Sequence, residues 1–391
     1  LRKRIAIITT HPIQYNAPVF QALSQSGKLT LKAFYTWGSL QGEEKYEPDF
    51  QKKVDWDIPL LEGYDYTFVR NTSRTPGSHS FWGIQNPTLI REINQFHPNA
   101  ILVYGWKFAS HLRAMMYFKR KIPVFFRGDS HLLNETLGLQ TILRRMGLTF
   151  VYRFIDYALY VGKRNKEYFR KHGVKEKNLF WAPYAIDEKR FQTNINRSWV
   201  IRKKNELGIK NHQINFLFVG KLVRLKRLDL LILAFQELDD PNAHLIIVGS
   251  GPLEEEYKAL VANHKNIHFL GFQNQSTLPN YYQLGDVLCL PSSSETWGLV
   301  ANEAIAAGLA LLVSSKAGCA IDLVEEGGNG FTFQSDNIID LREKMESFTP
   351  ETLPKMKKAS LEKAENYELR ISAHLLEEAL IHGINLYPNL K

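Results

Sequence analysis

Residues 214–231 read INFLFVGKLVRLKRLDLL. A near-continuous apolar run, Ile214 to Val219, ends at Gly220; Lys221 and Lys226 follow, five positions apart, and a helix-like pattern begins near Arg227. A run without polar alternation suits a strand buried on both faces, and such strands belong to parallel sheets covered by helices on either side. The theme recurs along the whole chain. IAIITT, LKAFYTW, YTFVRN, AILVYGW, PVFFRG, YALYVG and LFWAPY precede residue 190, while HLIIVGSG, IHFLGF, DVLCLPS and LALLVSS follow INFLFVG. Two sets of strands imply two doubly wound α/β domains. Between them APYAIDEKRFQTNINRSWVIRKKNELG carries a Pro, polar clusters and no strand signal, which puts the boundary near residues 185–210. The terminal YELRISAHLLEEALIHGINLY has Leu and Ala at helical spacing and reads as a last helix.

The totals agree with two cores. A chain of 391 residues is long for one domain and suits two, and 44% hydrophobic with 23% charged residues is an ordinary globular composition. No run approaches the roughly 18 apolar residues of a spanning helix. The opening LRKRIAIITTHPIQY has a short apolar stretch for a secretory signal, so a cytoplasmic location is expected. Cys289 and Cys319 give neither a disulfide framework nor a Cys-based zinc pattern. Charge is uneven: residues 1–190 hold 29 Lys/Arg against 16 Asp/Glu, residues 101–180 hold 16 against 5, and the remainder after 190 holds 20 against 24. Such a basic half suits nucleic acid, an anionic membrane surface or a phosphorylated substrate, or is simply a solvated face. Finger, RNP and helix-turn-helix patterns are absent from the sequence, which argues against a reader of bases.

In open parallel sheets ligands lie beyond the carboxyl ends of the strands. The loops there are HPIQY, RGDSH, GKLVRLKR, GSGP and SSSETWG. Lys221 and Lys226 can converge on one diphosphate as point charges, or be two solvated lysines. GSGP, with Gly249, lacks the third glycine of the dinucleotide fingerprint and reads more readily as a tight turn than as a phosphate grip. In SETWGLVANEA, residues 294–304, Glu295 and Glu303 stand eight apart around a helix expected from about Trp297 to Ala307. Ser292 to Ser294 are the expected cap and Gly308 the stop. A helix start offers N–H groups to a phosphate. Two carboxylates of a glycosidase would need to lie about 5 to 9.5 Å apart, whereas eight helical residues span roughly 12 Å. A sugar nucleotide fits that length: Glu295 accepting from sugar hydroxyls, the amides of Thr296 to Leu299 holding phosphate, Glu303 accepting from ribose. The plainer alternative is one capping Glu and one ordinary helix Glu.

Together these pieces resemble the retaining glycosyltransferases of family 4, which have the GT-B fold. The Glu, seven residues, Glu motif stands here as Glu295-Thr-Trp-Gly-Leu-Val-Ala-Asn-Glu303-Ala304. The basic pair is similar to Lys221 and Lys226, with Lys221 where Arg is more usual, and the linker pattern is similar to Pro183-Tyr-Ala-Ile-Asp187-Glu-Lys-Arg-Phe191, without the Asn-Gly. Residues 180–335 carry the likeness most closely. The first domain departs from it: HPIQY stands where a glycine pair is common, as in some bacterial subgroups, and RGDSH stands in the region of an acceptor-site His; in the second domain the G-G-x-x-E turn reads Ala317-Gly-Cys-Ala-Ile-Asp322.

The resemblance implies two Rossmann-like domains facing across a cleft: an acceptor-binding domain at 1–190, a nucleotide-sugar domain at 191–365, and a crossover helix at 366–391 returning to the first. It implies transfer of a hexose or related sugar with retention and without a metal or other cofactor, lysines neutralising the diphosphate. Lys226, Glu295, Asp129 and His131 are the expected catalytic group. Gly220, Lys221, Gly249, Phe272, Thr296, Trp297, Gly298, Leu299 and Glu303 are expected at the donor, and His11, Gln14, Tyr15 and Arg127 at the acceptor. A glycan, glycolipid or other anionic acceptor is expected, with peripheral contact of the basic domain at the inner membrane face and no nucleic acid. Two other readings share these residues: a nucleotide-sugar epimerase of the same fold, and a non-catalytic polyanion-binding module.

Overall fold

A computed structural model describes residues 2–38, 45–47, 52–54, 56–136, 138–261 and 264–387. Its strands are β1 (Lys3–Thr9), β2 (Leu29–Tyr35), β3 (Lys45–Glu47), β4 (Lys52–Val54), β5 (Asp65–Phe68), β6 (Ala100–Tyr104), β7 (Val124–Arg127), β8 (Tyr157–Tyr160) and β9 (Leu179–Trp181), followed by β10 (Ile214–Val219), β11 (Ala243–Val248), β12 (Ile267–Phe269), β13 (Val287–Leu290), β14 (Ala310–Ser314) and β15 (Gly330–Phe333). One sheet runs β5-β2-β1-β6-β7-β8-β9, a second β12-β11-β10-β13-β14-β15, and β3 pairs with β4 alone. Every pairing in the two large sheets is parallel. The apolar runs form these strands because helices cover both faces: all six residues of β10 and all six of β11 are buried. β15 escapes a reading by apolar runs, since GFTF is short and follows a glycine-rich turn. Gly330 is required there because a Cβ would stand 2.0 Å from the Leu311 carbonyl oxygen.

Both sheets reverse direction in the same way. From β1 the chain moves outward to β2 and β5, then returns to place β6 on the other side of β1. From β10 it moves to β11 and β12, then returns to place β13 beside β10. Loops after β1 and β6 therefore diverge at one point, as do loops after β10 and β13, and these reversal points are where open sheets of this kind hold ligands.

The chain divides into two compact units: Leu1–Glu43, Pro59–Ala185 and Leu369–Lys391 form one, and Glu44–Ile58 with Ile186–Glu368 the other. In the second unit Ile186 and Glu368, the residues at which the chain enters and leaves, are bridged in parallel. The last helix, Leu369–Leu386, packs on the first sheet. Ala373, Leu376, Leu380 and Ile384 join the core of β1, β2 and β8, and Gly383 admits the sheet closely, since a Cβ would meet the Phe125 ring at 2.6 Å. Glu377, 3% exposed, accepts from Lys28 Nζ at 2.8 Å and from the Ser26 hydroxyl, which satisfies a carboxylate that would otherwise be buried at a cost. Among the described residues no helix is long and apolar enough to cross a membrane.

Candidate functional site

The second unit gathers its chemistry at the reversal between β10 and β13. After β10 the backbone turns through a short 3-10 helix, Arg224–Lys226, and Arg227 adopts a left-handed conformation with φ 49°. After β13 the loop of Pro291–Gly298 comes alongside: Ser293 N–H donates to the Leu225 carbonyl at 3.0 Å. This contact brings Lys226 to Glu295, and the two form an ion pair. Their side chains are 22% and 16% exposed, so the pair is shielded yet reachable. Glu295 is itself fixed through its backbone, its N–H donating to the Lys316 carbonyl at 3.3 Å and its carbonyl accepting from Gly318 N–H at 3.0 Å. Lys221, half-exposed, lies at the start of the same β10 loop. Arg227 is paired with Asp229 and Asp336.

The helix after Glu295 spans Leu299–Ala306 and is capped by Gly298 at φ 101°. A glycine takes the cap position in place of the expected serines: Ser292 is fully buried, and Ser293 turns back to Leu225. Glycine is demanded at 298 by both its backbone and its neighbours, because a Cβ would stand 2.7 Å from Leu290 Cδ2 and 3.3 Å from Cys319 Sγ. The Trp297 carbonyl accepts from Cys319 N–H at 3.0 Å, and its indole N–H donates to Asn302 Oδ1 at 2.7 Å. Thr296 is exposed and Leu299 half-exposed at the helix start. Glu303, on the second turn, is 2% exposed and accepts from the Tyr282 hydroxyl at 2.6 Å. Gly308, at φ 76°, follows the helix end, as its sequence position suggested. Burial pushes both thiols up, that of Cys319 further through the carboxylates of Glu295 and Asp322, so neither cysteine is a nucleophile at neutral pH.

GSGP serves backbone packing. A Cβ on Gly249 would overlap the Gly220 carbonyl oxygen at 1.8 Å, and one on Gly251 would meet Leu222 O at 2.6 Å. Leu222 N–H donates to Ser250 O at 3.0 Å, so the two glycines let this turn brace the lysine loop. Beside it, Gly249 N–H donates to Gly271 O at 2.8 Å, and the next residue, Phe272, lies with its ring 6.4 Å from that of Trp56. Trp56 belongs to an Asp-x-Asp, Asp55-Trp56-Asp57. Asp57 is engaged by Ser276, whose N–H donates at 2.9 Å; Asp55 lies outside the described residues. The described residues contain no group of three or more His, Cys, Asp or Glu able to hold a metal.

In the first unit HPIQY runs from the end of β1 into the helix Ala17–Gln25. His11 Nδ1 is 2.9 Å from the Thr10 hydroxyl and its ring stands edge-on to Trp37 at 5.7 Å; Gln14 and Tyr15 are half-exposed on the same loop. At the end of β7, Arg127 is 7% exposed and donates to the carbonyls of Ala182 at 2.6 Å and Pro183 at 3.2 Å, a supporting place beneath the loop. Its guanidinium lies over the Tyr184 ring, and the Tyr184 hydroxyl donates to Asp129 at 3.1 Å. Burial, with the Asp129 carboxylate, raises the Tyr184 hydroxyl and keeps it a donor. His131 Nδ1 accepts from Leu133 N–H at 3.2 Å, which leaves Nε2 as the ring's other polar atom. Missed in the sequence was His111, fully buried beyond β6: Nδ1 is 2.8 Å from Gly105 O and Nε2 2.8 Å from the Thr36 hydroxyl. Burial lowers this imidazole to about 4.

Most of the second unit also matches a known family. Residues 200–366 match the family of glycosyl transferases group 1. This group 1 region contains Lys221, Lys226, Glu295, Gly298 and Glu303, and leaves His11, Arg127, Asp129 and His131 outside it. An uncharacterized glycosyltransferase of Methanocaldococcus jannaschii is 37% identical over 147 residues, 36% of this chain and 37% of that protein. The alpha-monoglucosyldiacylglycerol synthase of Acholeplasma laidlawii is 32% identical over 161 residues, 39% of this chain and 40% of the synthase. The chain therefore spans about two-fifths of the length of these curated relatives. The crystal structure of the Anabaena HepE protein in complex with UDP and glucose is similar with a TM-score of 0.70, covering 97% of this chain and 100% of that one at 17% identity. That likeness establishes the fold, two Rossmann-like units of the GT-B type.

Proposed function

We propose that the protein is a retaining, metal-independent glycosyltransferase of the family 4 type, moving a sugar from a nucleotide-sugar donor to a glycan, glycolipid or other anionic acceptor. The observation that carries this reading is the Lys226–Glu295 pair at the reversal point of the second sheet, in the loop that leads to the helix start at Gly298. A cation beside a carboxylate suits a ligand with a phosphate adjoining a sugar: the ammonium meets the diphosphate and the carboxylate accepts from hydroxyls. The group 1 match over residues 200–366 supports it. HepE, with its bound UDP and glucose, supplies an example of such a ligand on this fold, and the Acholeplasma synthase an example of a glycolipid product.

In the proposed reaction the anomeric carbon exchanges its bond to a phosphate oxygen for one to an acceptor hydroxyl oxygen on the same face, and the hydroxyl proton passes to the departing diphosphate. Lys221, Lys226 and the amides at Trp297–Leu299 stabilise the charge that develops on that leaving group, usually the largest single contribution to catalysis. Glu295 orients the sugar and Glu303 the ribose, the latter at a point fixed by Tyr282. His11, Asp129 and His131 orient the acceptor, with Arg127 bracing their loop through Ala182 and Pro183. The test is product analysis by NMR with a panel of UDP-, GDP- and ADP-sugars, in the presence and absence of EDTA. An anomeric centre of unchanged configuration, formed equally with EDTA, is expected. Inversion overturns retention; loss with EDTA and recovery with Mn²⁺ overturns metal independence; product formed without any acceptor points to an epimerase.

A further inference from the structure

The helix Leu139–Tyr152 is apolar on two opposite sides. Leu148, Val151 and Tyr152 face the core of the first unit. Leu139, Ile142, Leu143, Met146 and Phe150 face away from it and are 71%, 53%, 58%, 65% and 57% exposed. At 3.6 residues per turn these five fall within an arc of about 100°, a continuous stripe along the whole helix. Single exposed apolar residues are ordinary, but a stripe of this kind marks an interaction surface. The neighbouring helix Ala109–Phe118, packed into the same core, adds exposed Met116 and Tyr117.

The charge around the stripe identifies the partner. The helix contains no acidic residue, and Arg153 at its end is exposed in line with the apolar positions, while Arg144 lies on the other side of the helix, toward Tyr152 and Tyr168. The end of the helix Lys163–Lys171 lies alongside, where a Cβ on Gly173 would touch Thr149 at 3.6 Å, and it presents Lys171. Nearby carboxylates are already neutralised: Glu135 by Arg145 at 2.5 Å, Glu167 by Arg164 at 3.4 Å, and Glu176 by Lys166 and Arg170. Exposed aromatics sit against cations, Trp82 with Arg113 of the helix Ala109–Phe118 and Tyr117 of that helix with Lys121 just beyond it. A second copy of this surface would bring like charges together, whereas anionic headgroups would complement them.

We infer that the helix Leu139–Tyr152 docks the first unit on an anionic lipid bilayer, its apolar stripe entering the headgroup boundary and the cations at its end, Arg153 and Lys171, pairing with lipid phosphates. An in-plane helix with an apolar face and a basic rim binds by these two terms together, the second screened by salt. The inference stands on this helix and is independent of the transferase reading, since its test measures no transfer. The experiment is co-sedimentation of the full chain with vesicles of phosphatidylcholine alone and with an equal part of phosphatidylglycerol. Binding to the mixed vesicles is expected, weakened by salt, and reduced at least about tenfold in the double variant Met146→Glu, Phe150→Glu with thermal unfolding unchanged. A second double variant, Arg153→Glu with Lys171→Glu, is expected to remove the preference for phosphatidylglycerol while the apolar stripe is intact. No binding by the parent chain, or equal binding by both variants, overturns the inference. So does sedimentation of the parent chain as a dimer that Met146→Glu, Phe150→Glu dissociates, which would assign the stripe to a second copy.

Discussion

Gly298 stands where the loop from Glu295 becomes the helix Leu299–Ala306, at φ 101° and with Leu290 and Cys319 close behind it. Any side chain there must strain the backbone and push into a filled space, so Gly298→Ala is expected to cost on the order of 1–3 kcal/mol in chemical denaturation. An unchanged denaturation midpoint would mean that the turn relaxes freely. The position was readable as part of a motif, but its reason was not: the demand comes from residues 8 positions before and 21 after it, brought together only by the sheet. Lys226 and Glu295 were readable for a different reason. They lie 69 positions apart, yet each follows a strand that flanks the reversal point, and strand order alone makes their loops neighbours. Tyr282, which donates to Glu303, carried no sequence signal, because its contact depends on how the short helix Leu278–Tyr282 lies beside the helix Leu299–Ala306.

The helix Ala109–Phe118 begins immediately before His111, whose ring ties it to the loop after β6 and to Thr36 after β2. A neutral ring that donates from Nδ1 to Gly105 O can accept at Nε2 from the Thr36 hydroxyl, which also lies 3.2 Å from the Thr9 carbonyl oxygen; it is burial that disfavours a second proton. Burial holds this imidazole at about 4, below the ordinary 6.5, so between those values the unfolded chain binds a proton that the folded chain refuses. His111 therefore stabilises the fold fully above about pH 6.5, and that contribution is lost as pH falls toward about 4, by an amount on the order of 2–3 kcal/mol. Urea unfolding of the parent chain and His111→Asn across this range checks it: the parent is expected to lose stability more steeply than the variant, and parallel pH curves would contradict the assignment. Most strands were legible from apolar runs, but β3, β4 and β15 were not. Ends were less so, since the helix expected from Trp297 starts at Leu299, its cap chosen by close packing rather than by a serine hydroxyl.

At the scale of the molecule, composition and strand repetition made two parallel sheets legible, and the placement of chemistry followed from sheet topology. What composition could not reveal is how the basic first unit uses its charge; the exposed stripe on the helix Leu139–Tyr152 became visible only when its two faces could be told apart. The grouping of Glu44–Ile58 with the second unit was likewise invisible in a chain read from end to end. Donor recognition at the Lys226–Glu295 pair is the claim on which the functional account rests. Its most direct test is calorimetric titration of the parent chain, Lys226→Ala and Glu303→Ala with UDP-, GDP- and ADP-sugars. One nucleotide-sugar class is predicted to bind the parent, and each substitution to weaken that affinity at least about tenfold by removing a charged partner. Affinity unchanged in both variants would contradict the site, and no binding of any nucleotide-sugar by the parent would contradict the account.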